Sequence, residues 1–416
     1  MENSANQKLL KQLNEIRLLN IIKQKGPISR SELAKQTRIS KVAISDIVNR
    51  LNNEGFILEI GKGQSTNRGG KRPTLLKLNP ENGYVIGIEI QRRHAVVVLA
   101  NIQSEIKEMR RIFYQPGTPY MEIISRLFEE IDRLLTDPYA SKLISIGIGI
   151  PGFVDYKKGS LIFADSMVGW EGLPFSSIFS ERYNVPTLVE NDVNNITLGE
   201  SLKGAGRSYP NMVCIWIGEG LGAGIIVDGQ LVRGATGSAG EIGYLEIANF
   251  CLRREKTKSL YHDHTYFGEI LSEKNLLATL HEKLGIKEIY DNEEDEKKAL
   301  IRLVKRSDRG DRDVCAILEE YAYLLSIICS VFIKTINPNL ILLSGKVLEN
   351  SDYLIDQIRK QNHQSLKNLS LQGVTLQVGS LGENAGIQGA IDLALLTLFE
   401  SPVTRRTNHY KRHKPY

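Results

Sequence analysis

Apolar residues near the N-terminus recur every three or four positions, which is the spacing of one face of an α-helix. Over residues 7–24 this stripe consists of Leu9, Leu13, Ile16, Leu19 and Ile22. Gly26-Pro27 ends the helix, because proline cannot continue the helical hydrogen-bond ladder. A second, short helix is predicted over Ser31–Thr37, since Ser29 and Glu32 have the spacing of a capping box.

A third helix and a two-stranded hairpin follow. Ser40 is the expected cap of a helix that runs to Leu51, and two short helices joined by a tight turn are typical of a helix-turn-helix. The next strand covers Gly55–Ile60, and a return strand covers Thr74–Leu78. Between them lies Gly61–Pro73, a hairpin rich in glycine and basic residues. The sequence therefore predicts a winged helix-turn-helix.

The side chains of this unit have the chemistry of a DNA-binding surface. Lysine, arginine, asparagine and serine can donate to base edges or phosphates, and glycines let the backbone approach a phosphate closely. The candidate contacts are Ser40, Lys41, Ser45, Asn49 and Arg50 on the third helix, and Lys62, Arg68, Gly69, Gly70, Lys71 and Arg72 in the wing. The alternative is a small helical protein-interaction domain with a solvated charged face, but the basic wing favours DNA.

Beyond residue 80 the pattern changes to buried strands alternating with amphipathic helices. Strands are predicted at Tyr84–Ile90, Ala95–Leu99, Leu143–Ile150, Met212–Ile217, Ala223–Val227 and Leu340–Leu343, and helices at Met121–Leu135, Asp313–Thr335 and Ala385–Leu398. Two similar series, each a strand, a hairpin and then helices, imply a two-lobed α/β body with a ligand cleft between the lobes.

Composition and charge narrow the class of protein. The chain of 416 residues has four scattered cysteines with no CxxC pair, no basic-then-apolar leader, and no uninterrupted apolar run of membrane-spanning length. We therefore expect a cytoplasmic protein without a membrane partner. Residues 1–80 carry 15 Lys/Arg against 6 Asp/Glu, whereas the remainder up to the basic tail 401–416 is acidic. This asymmetry favours a polyanion as the partner of the N-terminal unit.

Several short motifs in the body resemble those of the ROK family (repressors, open reading frames and sugar kinases). The motifs are Gly149–Gly152, Gly169–Gly172, Glu190–Asn194, Gly218–Gly224, Gly240–Gly243 and Asn384–Ala390. The resemblance implies an actin-like, hexokinase-type (ribonuclease H-like) fold behind the winged head. We expect the head at 1–80, a first lobe at 81–193, a second lobe with the C-terminal helix at 194–400, and a basic tail at 401–416.

The phosphate-binding positions that the resemblance implies are altered here. Family kinases hold ATP with Asp-x-Gly-Gly-Thr in the first hairpin, where this chain has Glu89–Arg93 and neither glycine. In the second loop, Glu219 replaces a threonine, and its carboxylate would repel a triphosphate. We therefore expect no ATP site, no enzyme activity and no cofactor. The alternative is that the positive charges of Arg92 and Arg93 bind the phosphates of ATP. However, phosphoryl transfer depends on the precise positioning of the reacting groups more than on the number of charges.

The sugar-binding positions that the resemblance implies are better retained. Asp192 matches the catalytic base of the kinases, and Asn191 and Glu241 match other positions that bind hydroxyl groups. Without ATP, Asp192 would act as a binding group. Three further positions complete the candidate ligand set: Gly152, Ser166 and Tyr244. Ser166 and Tyr244 stand where the family usually has Asn and His, which bears on ligand specificity.

No metal site is expected, although many relatives carry a structural zinc. Zinc needs about four nitrogen or sulfur ligands in a tetrahedron. The matching region has only Cys251, and His262 and His264 are too close in sequence to make a good chelate with it. Residues 251–300 therefore have no assigned role, although Asn292–Lys298 has the composition of a solvated helix start.

The combined pattern predicts a repressor of a carbohydrate-utilisation operon. It would bind a palindromic double-stranded DNA operator as a homodimer, or as a tetramer, and respond to a sugar or sugar derivative in the body. One alternative is an ATP-dependent sugar kinase with a fused DNA-binding head. Another is a regulator whose effector is not a sugar.

Overall fold

The computed structural model divides the chain into two compact units. It describes residues 2–63, 72–165, 167–246, 264–290, 292–366 and 373–399. The first unit contains Met1–Glu190 together with Ala390–Tyr416, and the second contains Asn191–Gly389. The winged head and the first α/β lobe therefore belong to the first unit.

The head has three helices and a small antiparallel sheet in the order β1-β3-β2. The elements are α1 (Glu2–Lys25), β1 (Ile28–Ser29), α2 (Arg30–Thr37), α3 (Lys41–Asn53), β2 (Ile57–Lys62) and β3 (Thr74–Leu78). Its core contains fully buried Leu18, Leu33, Ile44 and Val48. The predicted winged helix-turn-helix is confirmed.

Both predicted helix caps of the head are present. The hydroxyl oxygen of Ser29 accepts from the backbone N–H of Glu32 at 3.2 Å, and the Glu32 carboxylate accepts from the Ser29 N–H at 2.8 Å. The hydrogen bond from the Ser29 hydroxyl lowers the pKa of Glu32 below its usual value. Ser40 caps α3 by accepting from the Ala43 N–H at 3.2 Å. These contacts satisfy helix-start amides and fix where α2 and α3 begin.

The rest of the first unit is built on a five-stranded sheet in the order β10-β7-β4-β5-β6, with β4 antiparallel to β5 and parallel to β7. Its elements are β4 (Tyr84–Ile90), β5 (His94–Asn101), β6 (Ile106–Phe113), α4 (Tyr120–Leu134), β7 (Leu143–Ile150), β8 (Phe153–Asp155), β9 (Ser160–Phe163), α5 (Phe175–Tyr183) and β10 (Thr187–Asn191). Strand β10 leads directly to the candidate ligand residues at its carboxyl end.

The second unit repeats this plan with a sheet in the order β13-β12-β11-β14-β15, in which β11 is antiparallel to β12 and parallel to β14. Its elements are α6 (Asp192–Leu202), β11 (Met212–Ile217), β12 (Leu221–Val227), β13 (Gln230–Leu231), α7 (Phe267–Ile270), α8 (Glu273–Leu284), α9 (Glu293–Val304), α10 (Arg312–Thr335), β14 (Leu340–Ser344), α11 (Lys346–Glu349), α12 (Asp352–Leu366), β15 (Thr375–Val378) and the start of α13 (Ala385–Phe399). The predicted helix start is confirmed, since Asn292 caps α9.

Helix α10 is the one helix in the described ranges that is long and apolar enough to cross a membrane. However, 67% of its most apolar window is buried inside the protein. Leu318, Leu325 and Cys329 are fully buried in the core of the second unit. Its apolar character is therefore that of a core helix.

Helix α13 is divided between the two units, whereas the predicted domain boundaries assign all of it to the second lobe. The sequence places this helix in the second lobe, whereas its residues from Ala390 onward group with the first unit. Ala390 packs so closely on β7 that a Cβ at Gly147 would lie 2.1 Å from the Ala390 carbonyl oxygen. At the far end of α13, the Asn20 side-chain amide of α1 donates to the Phe399 carbonyl oxygen at 2.8 Å. Lys23 lies 4.0 Å from the centre of the Phe399 ring.

Candidate functional site

Helix α3 presents a polar face beside its buried one. The buried face consists of Ile44, Ile47, Val48 and Leu51. On the other side, Lys41, Val42, Asp46 and Asn49 are exposed and Ser45 is half-buried. These five positions recur at the spacing of one helical face. The face therefore offers one cation, one amide, one hydroxyl and one carboxylate to a DNA groove, together with a valine.

The structure gives Arg50 a different environment from the rest of the candidate set. Its guanidinium forms an ion pair with Glu15 of α1. This contact joins two helices of the head, so at least part of the arginine charge stabilises their packing. A direct contact from Arg50 to DNA stays a prediction.

The predicted wing is described at its two ends only. Lys62 closes β2 and Arg72 precedes β3, and both side chains are exposed. Arg68, Gly69, Gly70 and Lys71 lie outside the described residues. The exposed cations at both ends of the hairpin are compatible with neutralising phosphates.

Sequence reasoning missed Val42 as a candidate contact. An apolar residue in a helix is expected to face the core, yet the Val42 side chain is 73% exposed. The available signal was its position, since Val42 lies on the same side of the helix as Asn49 and opposite Ile44 and Val48.

The carboxyl end of β10 and the start of α6 position two of the candidate sugar-binding residues, Asn191 and Asp192, which belong to the second unit. Asn191 caps α6, with its side-chain oxygen accepting from the Asn194 N–H at 3.1 Å. The Asp192 carboxylate accepts from the Val193 N–H at 2.9 Å. A helix N-terminus stabilises negative charge, so it is a suitable place for a carboxylate that binds hydroxyl groups.

Two carboxyl groups interact electrostatically at this point. Burial raises the pKa of Asp192 to about 6, opposed by hydrogen bonds from Val193 and Asn191 and reinforced by the charge of Glu219. Burial also raises the pKa of Glu241 to about 7, and the neighbouring charge of Asp192 contributes to the shift. The structure thus brings Asp192 and Glu241 together as partly dry acceptors.

The remaining three ligand candidates, Tyr244, Gly152 and Ser166, lie in different parts of the chain. Tyr244 lies in the same unit as Glu241, is 45% exposed, and its ring centre is 6.1 Å from that of Tyr266. Gly152 belongs to the first unit. Its φ is +101°, and a Cβ there would lie 2.3 Å from the Phe163 carbonyl oxygen, so this position requires glycine. Ser166 lies outside the described residues.

Two carboxyl groups, those of Glu219 and Glu273, lie at the turn between β11 and β12, which corresponds to the second phosphate loop of the family kinases. Glu219 lies exposed in the turn between β11 and β12. The Glu273 N–H donates to the Gly218 carbonyl oxygen at 2.9 Å, which fixes the start of α8 against this turn. Burial raises the pKa of Glu273 to about 7, with Lys297 and Lys346 opposing the shift and Glu219 adding to it.

The first hairpin is closed by its own contacts. The Gln91 N–H donates to the His94 carbonyl oxygen at 2.8 Å. The Tyr114 hydroxyl lies 2.5 Å from the Gln91 carbonyl oxygen and 2.9 Å from that of His94. The turn is therefore held by a tyrosine and its own backbone, where family kinases use glycines to approach phosphate.

No metal cluster is found within the described ranges, where no group of three or more His, Cys, Asp or Glu could hold an ion. Residues 247–263, which include Cys251 and His262, lie outside those ranges. His264 is described, and its Nε2 lies 3.1 Å from the Asn275 side-chain oxygen.

The raised pKa of Asp192 predicts a pH-dependent stability. The native carboxyl keeps its proton up to about pH 6, whereas the unfolded one loses it near its ordinary value of 3.8. Stability therefore falls as pH rises through this window, because the native state binds more protons than the unfolded state. We expect Asp192→Asn to raise the free energy of unfolding by about 1 to 2 kcal/mol at pH 8 and by almost nothing at pH 4. Urea denaturation at both pH values measures this, and an equal difference at both would contradict it.

A ROK family model matches residues 85–396, and a MarR family model matches residues 12–58. The chain belongs to the ROK family. A xylose repressor of Caldicellulosiruptor bescii is 27% identical over 409 residues, covering 96% of this chain and 99% of the relative. The NagC dual regulator of Escherichia coli is 26% identical over 378 residues, covering 87% and 88%.

A solved structure supports the fold over nearly the whole chain. It is a ROK family transcriptional regulator described as a homologue of the E. coli Mlc protein, with a TM-score of 0.78 and 22% identity. It covers 96% of this chain and 99% of its own. The expected winged head and actin-like ROK body are therefore both confirmed.

Proposed function

We propose that this ROK protein is a transcriptional repressor of a carbohydrate-utilisation operon, which binds a palindromic operator and responds to a sugar or sugar derivative. The observation that carries the proposal is the presence in one chain of an exposed polar helix face in a winged helix-turn-helix and a desolvated pair of carboxyl groups in the body. The polar helix face is suited to contact DNA, and the pair of carboxyl groups is suited to bind a polyol. Full-length similarity to proteins named xylose repressor and NagC supports both halves.

In this proposal, the carboxylates of Asp192 and Glu241 accept hydrogen bonds from sugar hydroxyls, and Tyr244 adds a donor or acceptor. The hydrogen bonds are strong because one partner is charged and partly removed from water. Asp192 acts by binding the sugar, without abstracting a proton for phosphoryl transfer. The carboxylate of Glu219, exposed in the second loop, would repel a triphosphate and so supports a repressor without a bound ATP.

A homodimer in the cytoplasm completes the proposal. Two heads on one dimer read two half-sites whose separation must match a whole helical turn of DNA or a multiple. A sugar that changes the separation of the heads therefore lowers operator affinity, and the coupling is reciprocal.

The contact between α1 and α13 predicts a route by which the body influences the head. Asn20 and Lys23 both contact Phe399, the last described residue of α13. We expect the Asn20→Ala/Lys23→Ala double variant to retain its operator affinity without sugar but to lose much of the sugar-dependent change. Arg17, an exposed residue of the same helix, supplies a matched control as Arg17→Ala. An undiminished sugar effect in the double variant would remove this contact from the account.

A sugar kinase is the second candidate, favoured by one observation. The pKa of Asp192, raised to about 6, is suitable for a general base near neutral pH. ADP formation with Mg-ATP and a hexose or pentose, lost in Asp192→Asn, would support the kinase and refute the repressor-only proposal.

The proposed function is tested by pairing two experiments on the full chain. Selection from a random double-stranded DNA pool identifies an operator, and a thermal-shift panel that includes D-xylose and N-acetylglucosamine identifies the effector. We expect an enriched palindrome and a positive shift with at least one sugar. Failure to enrich any sequence would refute the repressor. If no sugar changed the melting temperature, the sugar effector alone would be refuted.

A further inference from the structure

We propose that Val42 reads thymine in the operator by contacting its C5-methyl group, and that Asn49, seven residues further along the same ridge of α3, contacts an adenine about three base-pair steps away. This inference rests on the proposed DNA-binding function and specifies what the head recognises. It concerns a residue that the polar candidate set did not include.

The exposure of Val42 is the first observation. At 73%, it exceeds that of the other large apolar side chains exposed in the described part of the head, namely Leu10, Leu58 and Ile60. The apolar residues of α3 that hold the head together are on the opposite side, with Ile44 and Val48 fully buried. Valine is also a poorer helix former than alanine because its branched side chain loses rotamer freedom. Its presence there is therefore not explained by the stability of the head.

The position of Val42 within α3 is the second observation. Ser40 caps the helix, so Val42 lies in the first turn. In helix-turn-helix proteins, the N-terminal residues of the second helix contact base edges in the major groove. Val42, Ser45 and Asn49 follow the i, i+3, i+7 spacing of one helical ridge. Seven residues at 1.5 Å each span about 10.5 Å, or about three base-pair steps.

The chemistry of this ridge selects A·T pairs. The C5-methyl of thymine is the apolar feature in the major groove, and an apolar side chain is its natural contact. An asparagine amide pairs in a bidentate manner with N6 and N7 of adenine. Valine has no hydrogen-bonding group, so it cannot bind a phosphate or a polar base edge. Lys41, adjacent and exposed, is available for the phosphate backbone.

The test removes the methyl groups of the operator one at a time. The operator is selected with the full-length protein, and each thymine is then replaced by deoxyuridine, which pairs identically but lacks the C5-methyl. We expect wild-type affinity to fall by about fourfold when either thymine of one symmetry-related pair is replaced, the fold-change that corresponds to losing one buried methyl-sized group. In Val42→Ser, the same substitution should have no effect, because the contact is already absent.

Two controls separate this inference from the proposed function. Leu10→Ser removes another exposed apolar side chain of the head and should keep the full sensitivity to deoxyuridine. Val42→Ile keeps an apolar contact and should keep that sensitivity as well. Equal sensitivity of wild type and Val42→Ser at every thymine would overturn the Val42 contact and leave the repressor intact. Failure of the wild-type protein to enrich any operator would overturn both.

Discussion

We expect replacement of Asp192 by asparagine to move the sugar response to much higher sugar concentrations while operator binding persists. The Asp192 carboxylate is desolvated at the start of α6, and an ionised acceptor in such a place makes a strong hydrogen bond to a hydroxyl group. Losing a hydrogen bond to a charged group costs about 1.5–3 kcal/mol, which is roughly a 10- to 150-fold loss of sugar affinity. The head does not contain Asp192, so its DNA contacts remain. Operator release as a function of sugar concentration measures the change.

The matched control for this variant is Asp228→Asn in the same unit. Asp228 is an exposed turn residue with a φ of +52°, a conformation that asparagine tolerates. We expect its sugar response to equal that of the wild type. Operator release by Asp192→Asn at the wild-type sugar concentration would show that this carboxylate does not bind the effector.

We expect replacement of Asn49 by alanine to weaken sequence-specific binding while non-specific binding persists. Asn49 is exposed on α3, and its amide is the group on this face suited to a bidentate contact with adenine. A good bidentate contact discriminates by about 1–3 kcal/mol, so specific affinity should fall by roughly 5- to 150-fold for each half-site. Competition between operator and random DNA measures the specificity ratio.

Lys41→Ala is the informative comparison for Asn49→Ala. Lys41 is an exposed cation at the start of α3, and a phosphate contact carries no sequence information. We expect Lys41→Ala to weaken operator and random DNA alike, with the slope of log affinity against log salt reduced by about 0.9 for each lost contact. If Asn49→Ala weakened both DNAs equally, its role as a base contact would be refuted.

Much of this architecture follows from local sequence rules. The spacing of Ser29 and Glu32 predicts the start of α2, and the structure shows both hydrogen bonds of the capping box. Continuous apolar runs predict β4 and β7 with correct bounds, because a strand buried on both faces carries few polar residues. The carboxylate pair of the body was found through motif resemblance, since Asp192 and Glu241 are far apart in sequence.

Other features depend on tertiary contacts that no local pattern encodes. Strand β6 was missed because it lies at the sheet edge and most of its residues are exposed, so its sequence reads as a charged loop. Arg50 and Glu15, which form an ion pair between two helices, are 35 residues apart in sequence. The sequence shows only that Arg50 is a hydrogen-bond donor, which is why it was predicted to contact DNA. Likewise, α13 contributes to both units, whereas sequence order favours one.

The measurement that tests the central claim most directly is fluorescence anisotropy of a labelled operator titrated with the full-length protein. Unlabelled random DNA is present throughout, and the titration is repeated with each sugar of the panel. The account predicts saturable binding that survives the competitor. It also predicts that a concentration of one sugar sufficient to weaken operator binding by the wild type leaves operator binding by Asp192→Asn unchanged. Operator binding that is unchanged by every sugar, or changed equally in the two proteins, would contradict it.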